Sequence, residues 1–484
     1  MQQKPVTIAT SPTHTAFKKR SMGLDALRGI AILAMIFSGH IAHLDSLSGW
    51  LFHAQVGPPD FKFHPEIPGI TWVDLVFPFF LFAMGAAFPL ALRKKLGQGE
   101  PLWIILLYIL KRGASLVFFA IFLQHMKPWA LQSTPDAIGW LSSLTAFITL
   151  FLIYTSFKET INRYKVMIRV MGFGIAFSLL AFAHFYFGLS FSVKRSDIII
   201  LVLANMAIFG SLLWLFTKDN LLARLGIMAL LIAIRLSKDI PGSWQQVAWG
   251  FSPATWLYTL YFCQYLLIII PGTILGDMVY KNLKGNGITF SQEQTTTQKV
   301  LFGSILFSII VLNLVGLYMR WLNLNFLGTA TLLLAAYWLI RTPKEHDKPL
   351  YLQLFQWGSY WLLLGLFFEA YEGGIHKDHA TISYYFVSSG LAIFTYIILS
   401  MLDQKIGQHP VFSFVVMNGQ NPMIAYVGAA LCIIPIFSLL HITPFLHQLQ
   451  EWHPWLGILK GAIITIVVGL LTVFFTRRKV FWKN

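Results

Sequence analysis

Histidine is the side chain whose ordinary pKa lies nearest neutral, so clustered histidines are the first place to seek a general base. His40, His43, His53 and His64 follow one another closely, with Ser38 just ahead of them. His40 and His43, three apart, could share a helix face and chelate a metal. Metal sites need three or four ligands with oriented partners, and no third ligand has a convincing spacing, so no metal is expected. Proton transfer by His64 or His40 is the better chemistry; plain hydrogen bonding to backbone and water is the alternative for all four. Further on, Thr71 and Asp74 have the spacing of a capping box, and an acid near a membrane boundary is also a functional candidate. Pro78 then falls inside an apolar run.

A second constellation is cationic. Asp25 and Arg28 sit three apart and share a helix face. Arg28, Arg93, Lys94, Lys95, Lys111 and Arg112 could together form a basic cup for phosphate groups, since guanidinium donors bind phosphate oxygens in pairs. The alternative for Asp25 and Arg28 is an ion pair that anchors a helix end. A third is rich in amides: Asn418, Gln420 and Asn421 precede Pro422, and Asn before Pro is a good helix start. Glu369, Glu372, His376, Asp378 and His379 form a fourth cluster, either a sugar-binding or acid-base patch or an ordinary solvated loop.

The elements that position these residues must be membrane helices. Of 484 residues, 56% are hydrophobic and 12% charged, about half the charge of a soluble domain. Apolar runs of spanning length recur along the chain, continuous rather than alternating, which selects helices over a barrel. The reading is an all-α polytopic bundle of about 11–14 spans, at 23–43, 72–92, 113–125, 137–156, 167–187, 196–217, 219–236, 254–274, 299–319, 325–341, 352–371, 382–402, 420–440 and 456–476. Residues 1–22 read as a cytoplasmic tail ending in a basic cluster, with a retained first helix and no cleaved signal. Residues 23–476 read as one transmembrane domain, with a polar cytoplasmic connector at about 275–298 and a basic cytoplasmic tail at 477–484. Lys and Arg then favour the inner side by roughly three to one, which puts both ends of the chain inside and 44–71 outside.

The net charge of +16 is dispersed in short juxtamembrane clusters facing anionic lipid, which excludes a nucleic-acid partner. Cys263 and Cys432 lie in apolar runs and form neither a disulfide framework nor a metal site.

Four stretches carry a resemblance: LDALRGIAI at the first helix, His64 ten residues before the Asp of DLVFPFFLFAMG, KRG at 111–113 and GQNPMIAYV near the end. Together they resemble the heparan-α-glucosaminide N-acetyltransferase family, more narrowly its bacterial members, over residues 21–125 and again at 418–427. The opening LD-x-LRGIA is also similar to the wider membrane acyltransferase superfamily. The resemblance implies a bacterial inner-membrane enzyme that passes an acetyl group from cytoplasmic acetyl-CoA to an amino sugar or glycan across the bilayer. It puts the active-site base, or acetyl carrier, on His64. The chain departs from the family at Gly39, at Ile67-Pro68-Gly69 and at Leu141-Ser142-Ser143-Leu144-Thr145.

The expectation is therefore an acetyl-CoA-dependent acyltransferase. His64 is the first choice of base and His40 the second; Asp74 orients the site and Asn421 is a donor to the oxyanion. Arg28, Lys111 and Arg112, with Arg93, hold the CoA phosphates. Lipid, acetyl-CoA and a sugar acceptor are the partners, and a homodimer is compatible with the sequence. Arg28 and His40 are 12 residues apart, about 18 Å along a helix, which is about the reach of one pantetheine arm. The rival readings are a secondary transporter with helices broken at Pro78 and Pro271-Gly272, and an inactive member of the family.

Overall fold

The computed structural model describes residues 20–156, 163–284, 290, 294–341 and 349–482. Among them all regular structure is helical apart from one isolated bridge between Thr155 and Trp482. The longer helices are α1 Met22–Ser38, α2 Trp72–Gly97, α3 Leu102–Met126, α4 Ala137–Tyr154, α5 Lys165–Phe187, α6 Ile198–Thr217, α7 Leu221–Leu236 and α8 Leu266–Lys284. They continue as α9 Thr296–Tyr318, α10 Leu322–Ile340, α11 Leu350–Phe367, α12 Ile382–Ile406, α13 Pro410–Gln420, α14 Pro422–Leu439, α15 Ile442–Trp452 and α16 Pro454–Arg477.

Eleven helices of the described residues are long and apolar enough to cross a membrane, so the chain is an all-α polytopic bundle at the lower edge of the expected range. The remaining three expected spans are also helical: α1 and α7 have only 17 and 16 residues, and α11 is the third. Large apolar side chains such as Val166, Phe185, Leu222, Leu324 and Leu470 point outward, the surface that a bilayer covers.

Three boundaries differ from the sequence reading. Helix α3 begins at Leu102 rather than 113, because Lys111 and Arg112 interrupt the apolar pattern without interrupting the helix. Helix α8 continues to Lys284, so the connector is shorter than 275–298, and residues 285–289 and 291–293 lie outside the described residues. Asp277, within the expected connector, sits in the helix and binds the guanidinium groups of Arg93 and Arg224 at 3.0 and 2.9 Å. The tail keeps Arg477, Arg478 and Lys479 exposed, and its residues 480–482 fold back onto the bundle. Beyond α16 the chain turns back, Ser156 N–H donates to Phe481 O at 2.9 Å, and Trp482 is buried.

Prolines leave α2 and α8 continuous: Pro78 and Pro89 lie within the first and Pro271 within the second. The break instead falls between α13 and α14, at Asn421. Helix α13 lies against α1 at a distance only glycine permits. A Cβ on Gly419 would fall 1.8 Å from Asp25 O, and one on Gly29 would fall 2.0 Å from Val415 O. Small residues at such contacts let membrane helices approach backbone to backbone. This contact brings the side chains of Arg28 and Gln420 to the same place.

Candidate functional site

Two sites lie at opposite ends of α1. At its start, a cavity of about 440 Å³ is bounded by α1, α2, α3, α6, α14 and the folded-back Trp482. Its charged lining is Arg20, Arg28 and Arg112. Asp25, the acid beside them, is buried and contacts both Arg20 and Arg28, the latter at 3.6 Å. Arg28 also donates to Gly419 O at 3.2 Å. Gln420 bridges to Asp25 at 3.4 Å. Arg112 differs from these: it makes no hydrogen bond or ion pair with a described residue, and its guanidinium lies over the Phe88 ring, 5.9 Å from the ring centre. Three cations against one carboxylate leave a surplus of positive charge in a cavity whose other lining is mostly apolar, with Tyr108, Gln420 and Tyr426 as its further polar side chains. Ile32 and Met35 on α1 and Phe77, Phe80 and Met84 on α2 carry that apolar wall toward the other end of the bundle.

At the far end the chain between α1 and α2 folds over the bundle, held by Gln55, which donates to Ile67 O and Gly69 O at 2.9 and 3.2 Å. Thr71 and Asp74 form the capping box that starts α2. Asp74 is fully buried, and its Oδ2 accepts from the Thr71 and Ala54 amides at 2.8 and 3.2 Å. Its Oδ1 accepts from His53 Nδ1 at 2.7 Å. A carboxylate that holds Nδ1–H leaves Nε2 as the basic atom of the ring, the arrangement of a general base with its orienting acid. The loop after α11 completes this end. Lys377 Nζ stands 3.3 Å from each nitrogen of His53, Gly69 N–H donates to Ile375 O at 2.7 Å, and Tyr384 hydroxyl donates to Asp74 O at 2.7 Å. Behind it, Arg235 is paired with Glu372 at 2.7 Å and also hydrogen-bonded to Gln264 and Ala380 O.

The sequence candidates separate accordingly. Arg28 and Arg112 meet in the cavity. Lys111 points away and is exposed, and Arg93 belongs to the Asp277 network. Asp74 does organise a histidine, but that histidine is His53. His64 lies on the exposed loop, paired with Asp60 and Glu66 at 3.1 Å each. Hydrogen bonding to Asp60, and then to Glu66, holds the His64 imidazole pKa above its ordinary value. His40 turns back on its own helix, with Nδ1 2.7 Å from Ile36 O. Asn421 occupies the cap position of α14 without capping it. Its amide donates to Val480 O at 2.8 Å and accepts from Trp482 N–H at 3.2 Å, at the cavity end of the bundle. Of the cluster after α11, His379 approaches the first loop, its ring 6.3 Å from Phe63. Glu369 pairs with Arg320 at 2.5 Å.

Sequence reasoning missed Lys377 and Trp482. Nothing in their own neighbourhoods marks them, because each acts on a segment more than three hundred residues away or on the opposite side of a helix break. Among the described residues, no group of three His, Cys, Asp or Glu side chains could hold a metal ion.

No curated protein matches the chain. A family described as a domain of unknown function, DUF5009, matches residues 20–279. The matched stretch runs from Arg20 at the cavity to α8 and carries both Arg28 with Arg112 and His53 with Asp74. It is more than half of the sequence, and the chain belongs to the DUF5009 family.

Proposed function

We propose that the protein transfers an acyl group, most simply acetyl, from CoA to an amino sugar or glycan acceptor on the other side of a membrane. The observation that carries this reading is Arg112, an arginine without an ionic partner among the described residues, lining with Arg20 and Arg28 a cavity whose wall is otherwise mostly apolar. Such a cavity suits a phosphorylated head with a long, weakly polar arm. Arg28 and Arg112, with Arg20, bind the phosphates, and the walls of α1 and α2 take the arm. Phe77, the lining residue nearest His53 and Asp74 in sequence, is three residues beyond Asp74, about 4.5 Å of helix rise.

The acceptor amine or hydroxyl attacks the thioester carbonyl, the new C–N or C–O bond forms, and the C–S bond breaks. The proton lost by the acceptor goes to His53 Nε2, and CoA leaves as the thiolate. Asp74 holds the tautomer and steadies the imidazolium. Lys377 is placed to steady negative charge on the carbonyl oxygen. The excess of Lys and Arg on the arginine side favours a cytoplasmic face there, where CoA is found; the resemblance suggests a bacterial inner membrane.

The test is incubation of purified protein with radiolabelled acetyl-CoA and a panel of amino sugars. Label should pass to an acceptor with the wild type and with His64→Ala, and fail to pass with His53→Ala. Absence of transfer to every acceptor, or a wild-type rate from His53→Ala, overturns the reading.

A further inference from the structure

Tyr426 stands apart from the arginines and Gln420 with which it shares the cavity. Its side chain reaches from α14 across to Asp197, immediately ahead of α6, and its hydroxyl donates to Asp197 Oδ1 at 2.9 Å. Both walls that it joins line the cavity, Met423 with Tyr426 on one side and Ile199, Ile200 and Leu203 on the other. Tyr426 is half-buried where its neighbours Ala425 and Val427 are buried, and the phenol forms a bar across the space. Two helices measure how far this bar stands from the arginines. Tyr426 is seven residues beyond Gly419, whose carbonyl Arg28 holds, about 10 Å of helix rise. Asp197 N–H donates to Ala120 O at 3.0 Å, and Ala120 is eight residues beyond Arg112 on α3, about 12 Å of rise.

The direction of the hydrogen bond fixes what this end can recognise. Asp197 is buried, its Oδ2 accepts from Lys127 Nζ at 2.9 Å, and its Oδ1 also accepts from Ile200 N–H at 3.2 Å. A carboxylate so placed only accepts, so the single hydrogen of the phenol is committed to it and the Tyr426 oxygen keeps lone pairs alone. The arginine end offers donors to a ligand, and the Tyr426 end offers an acceptor.

We propose that Tyr426 is a specificity-determining residue of this cavity: its hydroxyl oxygen accepts an amide N–H from the arm of a ligand whose phosphate is held by Arg28 and Arg112. Asp197 is the positioning residue that turns the phenol hydrogen away from the ligand. A pantetheine arm has the required form. An extended chain gains about 3.8 Å per three bonds, which puts its two amide N–H groups about 7 and 12 Å from its phosphate, a range that brackets the separation along the helices. This deepens the proposed function and rests on it for the identity of the arm.

The test is binding of three probes to the full-length protein in detergent, by calorimetry: CoA, phosphopantetheine, and a phosphopantetheine analogue in which ester oxygens replace both amide N–H groups. The wild type should bind phosphopantetheine roughly 3- to 10-fold more tightly than the ester analogue, the effect of one net hydrogen bond. Tyr426→Phe should abolish that preference by weakening phosphopantetheine alone, and Arg112→Ala should weaken both and keep it. Asp197 retains Lys127 and the Ile200 N–H in Tyr426→Phe, so the melting temperature should hold. Should Tyr426→Phe not fold, 4-fluorophenylalanine at that position, close to the phenol in size, makes the same comparison. An N–H preference that survives Tyr426→Phe, or a variant that binds both probes equally less well, overturns the proposal. CoA binding without any N–H preference overturns it too and leaves the acyl-CoA reading standing. Binding of phosphopantetheine but not CoA, with the preference lost in Tyr426→Phe, upholds it and removes CoA as the donor. If neither amide-bearing probe binds the wild type, both fall.

Discussion

The two ends of the bundle manage charge in opposite ways. At the histidine end the acids that burial shields are answered: Asp74 by His53, Glu372 by Arg235, Glu369 by Arg320. At the arginine end Arg20 and Arg28 share Asp25, and Arg112 has no ionic partner among the described residues. Answered charges fix geometry, because two partners hold each side chain. An unanswered one stores affinity for an anion, because its desolvation is already borne by the fold. The contrast teaches that one end holds its side chains in fixed geometry while the other keeps a cation without an ionic partner among the described residues, which is the division of labour that the proposed acyl transfer needs.

The contrast breaks most sharply at His53. His53→Ala should lower kcat by roughly 10²- to 10⁴-fold, the usual contribution of a positioned base, and leave CoA affinity unchanged by calorimetry. A parallel loss of CoA affinity would mean the two ends are not separate. Next in size is Arg112→Ala, which removes charge-assisted hydrogen bonds. CoA should bind about 10- to 100-fold more weakly, the dependence on salt should flatten, and kcat at saturating donor should hold. Smaller again is Gly419→Ala. The added Cβ must push α13 off Asp25 O, which should destabilise the protein by about 1–3 kcal/mol, measured by urea unfolding in detergent, and weaken CoA binding because Gln420 and Arg28 move apart.

His64→Ala should do least, with transfer at the wild-type rate. The folded-state pKa of His64 is raised by Asp60 and Glu66. Its pairing is therefore fully present below the ordinary imidazole pKa and lost as pH rises through the raised one. The wild type should melt slightly above His64→Ala at pH 5.5, and the difference should vanish at pH 8.5. A larger difference at pH 8.5 would show that the pairing is not what holds the loop.

The helices were legible because lipid enforces a simple rule, about 20 apolar residues per crossing. That Arg28 and Arg112 come together was legible too: the sequence grouped both in one basic cup, and both line the cavity. Which histidine Asp74 holds was not. His53 and His64 both lie in a stretch without helical periodicity, where spacing to Asp74 sets no geometry; the path of the loop is fixed by Gln55 and by contacts to the chain after α11. The start of the connector at about 275 was placed too early for a related cause, since Asp277, ion-paired inside the bundle, looks in one dimension like part of a polar loop. The role of Asn421 depends on Val480 and Trp482, a separation that no local pattern spans.

Asp74 Oδ2 accepts the amide hydrogens of Ala54 and Thr71 while Oδ1 holds the imidazole. Fraying of the first turn of α2 and release of the imidazole are thus one event rather than two. Deuterium uptake at the Ala54 and Thr71 amides reports how often the imidazole is out of place, and acceptor binding that tightens the loop should slow both exchanges by the same factor.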